Sequence, residues 1–360
     1  MAAYTTIDDP EAYFQTVVWT GNGTDDRTIT LPGDTNLQPD FIWVKNRTDS
    51  EDHCLMDVVR TFASGKAMRS NGADAEGGVG TAARGWVEAA SDGFTCQEGS
   101  TNFNLTNASS DIYVAWCWKA GGSASAQTDG TIDTSRSAST TAGFSIATYT
   151  GNSTNGATRG HGLGVVPHMI VVKNRSDDDQ KWYIYHHKNT AAPETDYLEL
   201  NSTAATVDQA GWNDTAPSST LVTTSDGSEV NASSKNYVMY SWAGKQGFSK
   251  FGSYVGNGNA SGPLIWTGFK PAMIIIKKTS ATGNWVIYDN KREGYNPKQD
   301  DIKLNTNAAE GDNERVLLLA NGFKVNKSDA VVNTSGATFV YMAWAEAPFV
   351  NSNGVPTTAR

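Results

Sequence analysis

Apolar residues come in short runs rich in β-branched and aromatic side chains. Turn dipeptides separate the runs: Asn-Gly at Asn22, Asn155, Asn257 and Asn321, and Asp-Gly at Asp92, Asp129 and Asp226. Short runs bounded by such turns predict antiparallel strands and hairpins. No window carries a long stripe at the helical period. The best helix candidate, residues 308–320, is short and reads equally well as a strand. The expected fold class is all-β.

Three markers recur in one order. The first is an aromatic-x-Gly-Asn turn at Trp19–Asn22, Tyr149–Asn152 and Tyr254–Asn257. The second is a proline (Pro39, Pro167, Pro271) leading a run that carries a lysine six residues later (Lys45, Lys173, Lys277). The third closes each copy: Tyr113–Trp118, Tyr237–Trp242 and Phe339–Trp344. Pro39 to Pro167 spans 128 residues and Pro167 to Pro271 spans 104, and the other markers keep nearly the same offsets. A period above 100 residues is too long for a solenoid repeat and is the size of a domain. The reading is internal triplication into three tandem antiparallel β-sandwiches of jelly-roll or lectin-like type. Their bounds are 13–119, 143–245 and 246–349. An N-terminal arm (1–12), a Gly/Ser/Ala/Thr-rich linker (120–142), with a short strand at Gly130–Asp133 as the alternative reading of that piece, and a C-terminal tail (350–360) complete the chain.

The closing run is apolar on both faces, which predicts a central strand covered on both sides. One face ends each time in tryptophan, and Trp118, Trp242 and Trp344 read as core residues. Proline has no N–H to give a ladder, so Pro39, Pro167 and Pro271 belong at strand starts or edges. Lys45, Lys173 and Lys277 then read as solvated strand ends, with salt bridges to a neighbouring carboxylate or subunit as the alternative.

The net charge of −10 argues against a nucleic-acid partner, which needs a basic face for phosphates. No run reaches the length of a membrane span, and the first ten residues do not read as a signal peptide. Eleven tryptophans argue against disorder. Cys54, Cys96 and Cys117 are odd in number and fit no metal spacing, so they read as buried free thiols.

Candidate chemistry is sparse. Carboxylates such as Glu194, Asp196 and Glu199, or Glu88 and Asp92, recur in no regular way, and no catalytic motif is present. His186 and His187 would point to opposite faces of a strand, which is poor geometry for one metal. Asp177–Asp179 reads as a solvated acidic turn, with calcium as the minor alternative. Asp57 and Arg60 match Asp289 and Arg292, and each pair reads as an ion pair that fixes a loop. The second copy has histidines there. No catalytic residue, cofactor or metal is expected, and the protein reads as a non-enzyme.

Four phrases carry a resemblance: Tyr4–Thr16, His161–Gly164, Phe248–Tyr254 and Ala345–Phe349. Together they resemble β-rich virion structural and tail-fibre-like proteins of tailed phages of marine bacteria. The resemblance implies a virion protein assembled in the host cytoplasm, with other virion subunits and host-surface glycan as partners. A homo-oligomer, by analogy a trimer, is expected. Capsid decoration is the alternative role, with residues 1–12 and 350–360 as docking arms, and a polysaccharide-degrading enzyme is the remote one.

Overall fold

A computed structural model describes residues 3–77, 84–292, 296 and 298–357. The fold is nearly all β, in antiparallel sheets. Residues 311–319, inside the ambiguous helix-or-strand stretch, form a strand.

One four-strand arrangement recurs three times. The opening strand (Phe14–Thr20, Phe144–Thr150, Ser249–Val255) pairs with the closing strand (Ile112–Trp118, Asn236–Trp242, Thr338–Pro348). The closing strand pairs in turn with the lysine-bearing strand (Phe41–Asn46, Met169–Asn174, Phe269–Lys278), which pairs with a return strand (Cys54–Asp57, Trp182–His186, Trp285–Asp289). The registers also recur: Trp118 lies opposite Phe14 and Phe41, Trp242 opposite Phe144 and Met169, and Trp344 opposite Ser249 and Met273. A smaller layer faces each four-strand set. It is a separate three-stranded sheet in the first unit and a two-stranded sheet in the second, whereas in the third the ladder runs on unbroken into it.

The aromatic-x-Gly-Asn turn has the same seat in all three units. Trp19, Tyr149 and Tyr254 stack on Tyr113, Tyr237 and Phe339 at 5.3, 5.0 and 5.0 Å. The next glycine lies against backbone, so a Cβ on Gly21 would stand 1.9 Å from the Ala108 carbonyl oxygen. The asparagine N–H then donates to a buried asparagine: Asn22 to Asn107, Asn152 to Asn231, Asn257 to Asn333. Glycine recurs because this close approach demands it, and asparagine because its side-chain oxygen accepts from the buried asparagine's amide in return, at 2.9, 3.2 and 3.1 Å.

Alternation along the closing strand divides the core. In the first unit Tyr113, Ala115 and Cys117 face a private core with Val17, Ile42 and Phe94. Val114, Trp116 and Trp118 face the other way, into one core shared by all three units. In the second unit Tyr237 and Met239 are private, and Val238, Tyr240 and Trp242 are shared. The sandwiches are therefore not beads on a string. Their inner sheets converge on a common centre, and a small apolar cavity of about 30 Å3 there is lined by residues of all three.

Two tandem-array expectations change accordingly. Residues 120–142 are not a free linker. They carry strands Ser125–Gln127 and Thr134–Ser139, the latter paired with Phe144–Thr150, and Ile132 is buried in the second unit's core. Alternating Ser and Thr make a serviceable edge strand because an edge needs backbone pairing on one side only. The N-terminal segment, from residue 3 on, is not a free arm either. Ile7 lies in the shared core, Thr5 Oγ1 donates to the Gln246 carbonyl at 2.8 Å, and the Tyr4 hydroxyl donates to the Gly268 carbonyl at 2.7 Å.

Candidate functional site

The three closing tryptophans meet at the centre. Trp118 and Trp344 have ring centroids 5.5 Å apart, and Trp242 and Trp344 6.4 Å. Phe41 of the first unit packs on Tyr240 of the second at 4.8 Å. Burial on this scale is the dominant cohesive term between the units. Pro39, Pro167 and Pro271 are all buried. The first two lie two residues before their strands, and Pro271 sits at a register shift inside its strand, where the missing N–H breaks no regular pair.

The lysines contradict the sequence reading. Lys45, Lys173 and Lys277 are at most 1% exposed. Each amine donates to carbonyls of its own hairpin and of a neighbouring unit. Lys45 reaches Asn307 in the third unit at 3.2 Å, Lys173 reaches Ala73 in the first at 2.8 Å, and Lys277 reaches Thr203 in the second at 3.2 Å. The acceptors are offset by the repeat itself. Burial pulls all three amines down to about 8. The pattern Pro-x5-Lys suggested a strand end at the rim, but the neighbouring unit covers that rim, which the sequence of one unit does not reveal.

Two more links repeat at each corner between units. A ring nitrogen at the start of the return strand bonds a neighbouring carbonyl: His53 Nε2 with Lys303 (3.2 Å), Trp182 Nε1 with Arg69 (2.9 Å), Trp285 Nε1 with Glu199 (2.7 Å). A backbone N–H also crosses: Glu76 to Arg175, Thr206 to Thr279, Glu310 to Arg47, each within 3.0 Å.

The Asp-Arg pairs lie at these corners. Arg60 Nε meets Asp57 Oδ2 at 2.5 Å and Arg292 Nε meets Asp289 Oδ2 at 2.7 Å, with the side chains essentially inaccessible. Each pair extends across the corner. Arg60 and Arg175 both hold Glu76, at 3.0 and 2.7 Å. Arg292 and Arg47 both hold Glu310, at 2.6 Å each. The closing strand of the next unit adds a donor, the Tyr240 hydroxyl to Asp57 at 2.6 Å and Trp116 Nε1 to Asp289 at 3.1 Å. Burial opposes ionisation of Asp289, yet the Arg292 guanidinium beside it holds its carboxyl below the ordinary range.

The histidines are placed differently from expectation. His186 is buried at the end of its strand and the His187 Nε2–H donates to the Phe251 carbonyl, 2.9 Å away. His168, distant in sequence, packs on His187 with centroids 4.3 Å apart. Among the described residues no group of three or more His, Cys, Asp or Glu is arranged to hold a metal ion. In the acidic turn, Asp177 pairs with Lys235 at 2.5 Å and Asp178 accepts the Ala75 N–H at 2.8 Å. All three cysteines are buried free thiols.

A second feature, unforeseen from the sequence, is an open cleft at the junction of the second and third units. Its cavity of about 400 Å3 is bordered by Tyr4, His168, Lys245, Lys250, Phe251 and Trp266. The N–H of Gly244 donates to His168 Nδ1 at 2.7 Å, so the neutral ring carries its proton on Nε2. Trp266 lies outside every repeat marker, but so do Trp86, Trp182, Trp212 and Trp285, so the sequence holds no signal that singles out the cleft.

The model of a family described as Domain of unknown function (DUF7483) matches residues 9–348. The chain belongs to this family. The match runs through all three units and their corners, so the family corresponds to the whole interlocked body. No curated protein matches the chain, and no solved structure does.

Proposed function

We propose that this DUF7483 protein is a non-enzymatic structural protein of a tailed-phage virion, a tail-fibre or adhesin-like component that binds host-surface glycan. In this reading it is assembled in the host cytoplasm and carried on the particle. Other virion subunits are its partners, along with further copies of the chain. The three units are read as copies of one ancestral sandwich. The observation that carries the reading is the interlocked scaffold. Three sandwiches fused through one aromatic core and three hydrogen-bonded corners commit their inner surfaces to rigidity and leave polar loops and sheet ends for recognition. The opening strands Phe14–Thr20 and Ser249–Val255 stand at the ends of their sheets and offer ladder groups to another subunit.

The test is adsorption of the purified, fluorescently labelled chain to host cells. Saturable retention, abolished by periodate oxidation of surface sugars, is expected. A folded protein that never adsorbs would overturn the host-binding role. Capsid decoration is the second reading, favoured by the threefold arrangement inside one chain, which matches seats of threefold symmetry on a shell. Saturable binding to shells, with none to cells, would select it.

A further inference from the structure

The cleft beside Trp266 gathers cations and an exposed aromatic ring on an acidic chain. The chain is acidic overall, yet Lys245, Lys250 and His168 converge here, with Lys188 and His187 close behind His168. Among the described residues no carboxylate forms an ion pair with Lys245 or Lys250. The Lys250 amine donates to the Trp266 carbonyl at 2.7 Å, which ties it to the cleft wall. Burial pulls both lysines down, the cost of holding cations in a recess without a counter-charge.

The opposite wall is aromatic. Trp266 is 50% exposed, and Phe349 packs edge-on against it at 5.4 Å, which holds the indole in place. Leu264, two residues earlier on the same face of the strand, is 61% exposed. A rigid exposed ring beside unpaired cations is a poor way to stabilise a fold and a good way to hold an amphipathic, negatively charged ring.

The cleft is also peculiar to this junction. At the first junction the position of His168 is taken by Asp40, whose carboxylate caps the N–H groups of Ala120 and Gly122 at 2.8 and 3.0 Å. There, too, strand Thr134–Ser139 covers the edge of the second unit's opening strand. The third unit's opening strand has no such cover, since Ser249–Val255 ends its sheet. An ordinary by-product of the repeat would appear at both junctions.

We propose that this cleft binds an acidic saccharide, with a sugar ring against Trp266 and its carboxylate or sulfate at Lys245 and Lys250. The proposal rests on the glycan-binding reading and gives it a place and a ligand class. Net negative charge elsewhere would repel such a ligand, so the local cations select its approach to this face.

The experiment is calorimetric titration of the full chain with three probes: tetragalacturonate, a sulfated heparin tetrasaccharide and neutral maltotetraose. Saturable binding of at least one acidic probe is expected, without binding of maltotetraose. The two acidic arms separate carboxylate from sulfate. Lys245→Met with Lys250→Met should weaken binding at least 10-fold, and Trp266→Ala about 10-fold, near 1.4 kcal/mol. Lys235→Met, which removes a half-buried lysine paired with Asp177 at the opposite end of strand Asn236–Trp242, should leave it unchanged. The melting temperature of each variant is checked first, and Lys245→Gln alone serves if the double variant unfolds. Absence of acidic-probe binding, equal binding of maltotetraose, or binding indifferent to the lysine and Trp266 changes would overturn the cleft. If host cells still retain the protein in that case, the glycan reading stands and only the cleft falls. If cells fail to retain it while the acidic probe binds, the cleft stands and host recognition falls.

Discussion

The three corners of the molecule share a frame and differ in filling. All three have the buried lysine, the ring nitrogen and the crossing backbone N–H. The first–second and third–first corners add an Asp-Arg-Glu-Arg network: Asp57, Arg60, Glu76 and Arg175 in one, Asp289, Arg292, Glu310 and Arg47 in the other. The second–third corner has none of it. At the repeat offsets, His186 replaces the aspartate, Asn189 the inner arginine, Thr206 the glutamate and Thr279 the outer arginine. Thr206 Oγ1 and Asn189 Oδ1 are joined at 2.7 Å, a neutral bond where the other corners have an ionic one. The aspartates and the histidine still do one job alike. Asp57 Oδ1 accepts the Val59 N–H at 3.0 Å, Asp289 Oδ1 the Lys291 N–H at 3.0 Å, and His186 Nδ1 the Lys188 N–H at 3.2 Å. The turn needs an acceptor two residues back; it does not need a charge. The lesson is that the common frame sets the geometry, and the charges are a removable layer on it.

Breaking the charged layer from one side should have the largest effect. Arg60→Met leaves Asp57 without its counter-charge and takes one cation from Glu76, and Arg292→Met does the same to Asp289 and Glu310, in sites too dry to rehydrate the aspartates. Each should cost about 3–5 kcal/mol, read from denaturant midpoints at an unchanged slope. Asn189→Met, at the matching place in the neutral corner, should cost about 1–2 kcal/mol, the price of one lost buried hydrogen bond. Equal losses at the three positions would end the distinction between corners.

Proton binding sharpens the comparison further. Burial holds His186 down to about 3, against an ordinary value near 6.5. Between those values the unfolded chain binds the proton and the folded chain does not. Stability is therefore lost as pH falls below about 6.5. His186→Gln should lessen the loss between pH 7 and pH 5 by about 2 kcal/mol. His53, also held to about 3, and His168, at about 4, contribute in the same sense. The lysines act at the other end. With folded values of about 8 against 10.5, the unfolded chain again binds more protons, so their contribution rises with pH above about 8. Each of Lys45→Met, Lys173→Met and Lys277→Met should flatten that limb, relative to the parent, by at most about 1.4 kcal/mol per pH unit. Because the lysines belong to the common frame, the three variants should agree, and disagreement would show that the frame differs between corners. Urea midpoints across the pH range provide the measurement.

What could be read from one sequence follows from where each signal arises. Strand identity, the central closing strand and the two faces of Tyr113–Trp118 are local alternations, so they are written in the residues themselves. The Asp-Arg pairs were readable because they lie three residues apart. The solvated lysines, the free linker and the free N-terminal arm were misread for one reason. Each treats a unit as ending at its own surface, and that surface is covered by another unit some hundred residues away. Lys45 looks like a rim residue until Asn307 lies over it. The cleft was hidden in the same way, since Tyr4, His168, Lys245 and Trp266 come together only across a junction.

The smallest effect is expected from building charge where it is absent. His186→Asp, Asn189→Arg, Thr206→Glu and Thr279→Arg together copy the network into the second–third corner. The backbone there already matches, because Thr206 N–H donates to the Thr279 carbonyl as Glu76 does to Arg175 and Glu310 to Arg47. The new charges would gain their mutual attraction and pay the desolvation of four buried ions, terms of similar size and opposite sign. One donor would still be missing. Tyr240 and Trp116 supply a proton to the aspartates, but the residue at their offset in the third unit is Met342, which has none to give. The fourfold variant should therefore fall within about 1 kcal/mol of the parent at pH 7 and lose the acid sensitivity due to His186. Adding Met342→Tyr should raise its stability by about 1 kcal/mol, as one charge-assisted hydrogen bond does. A fourfold variant that fails to fold would mean that the neutral corner differs in its backbone frame and not only in its charges.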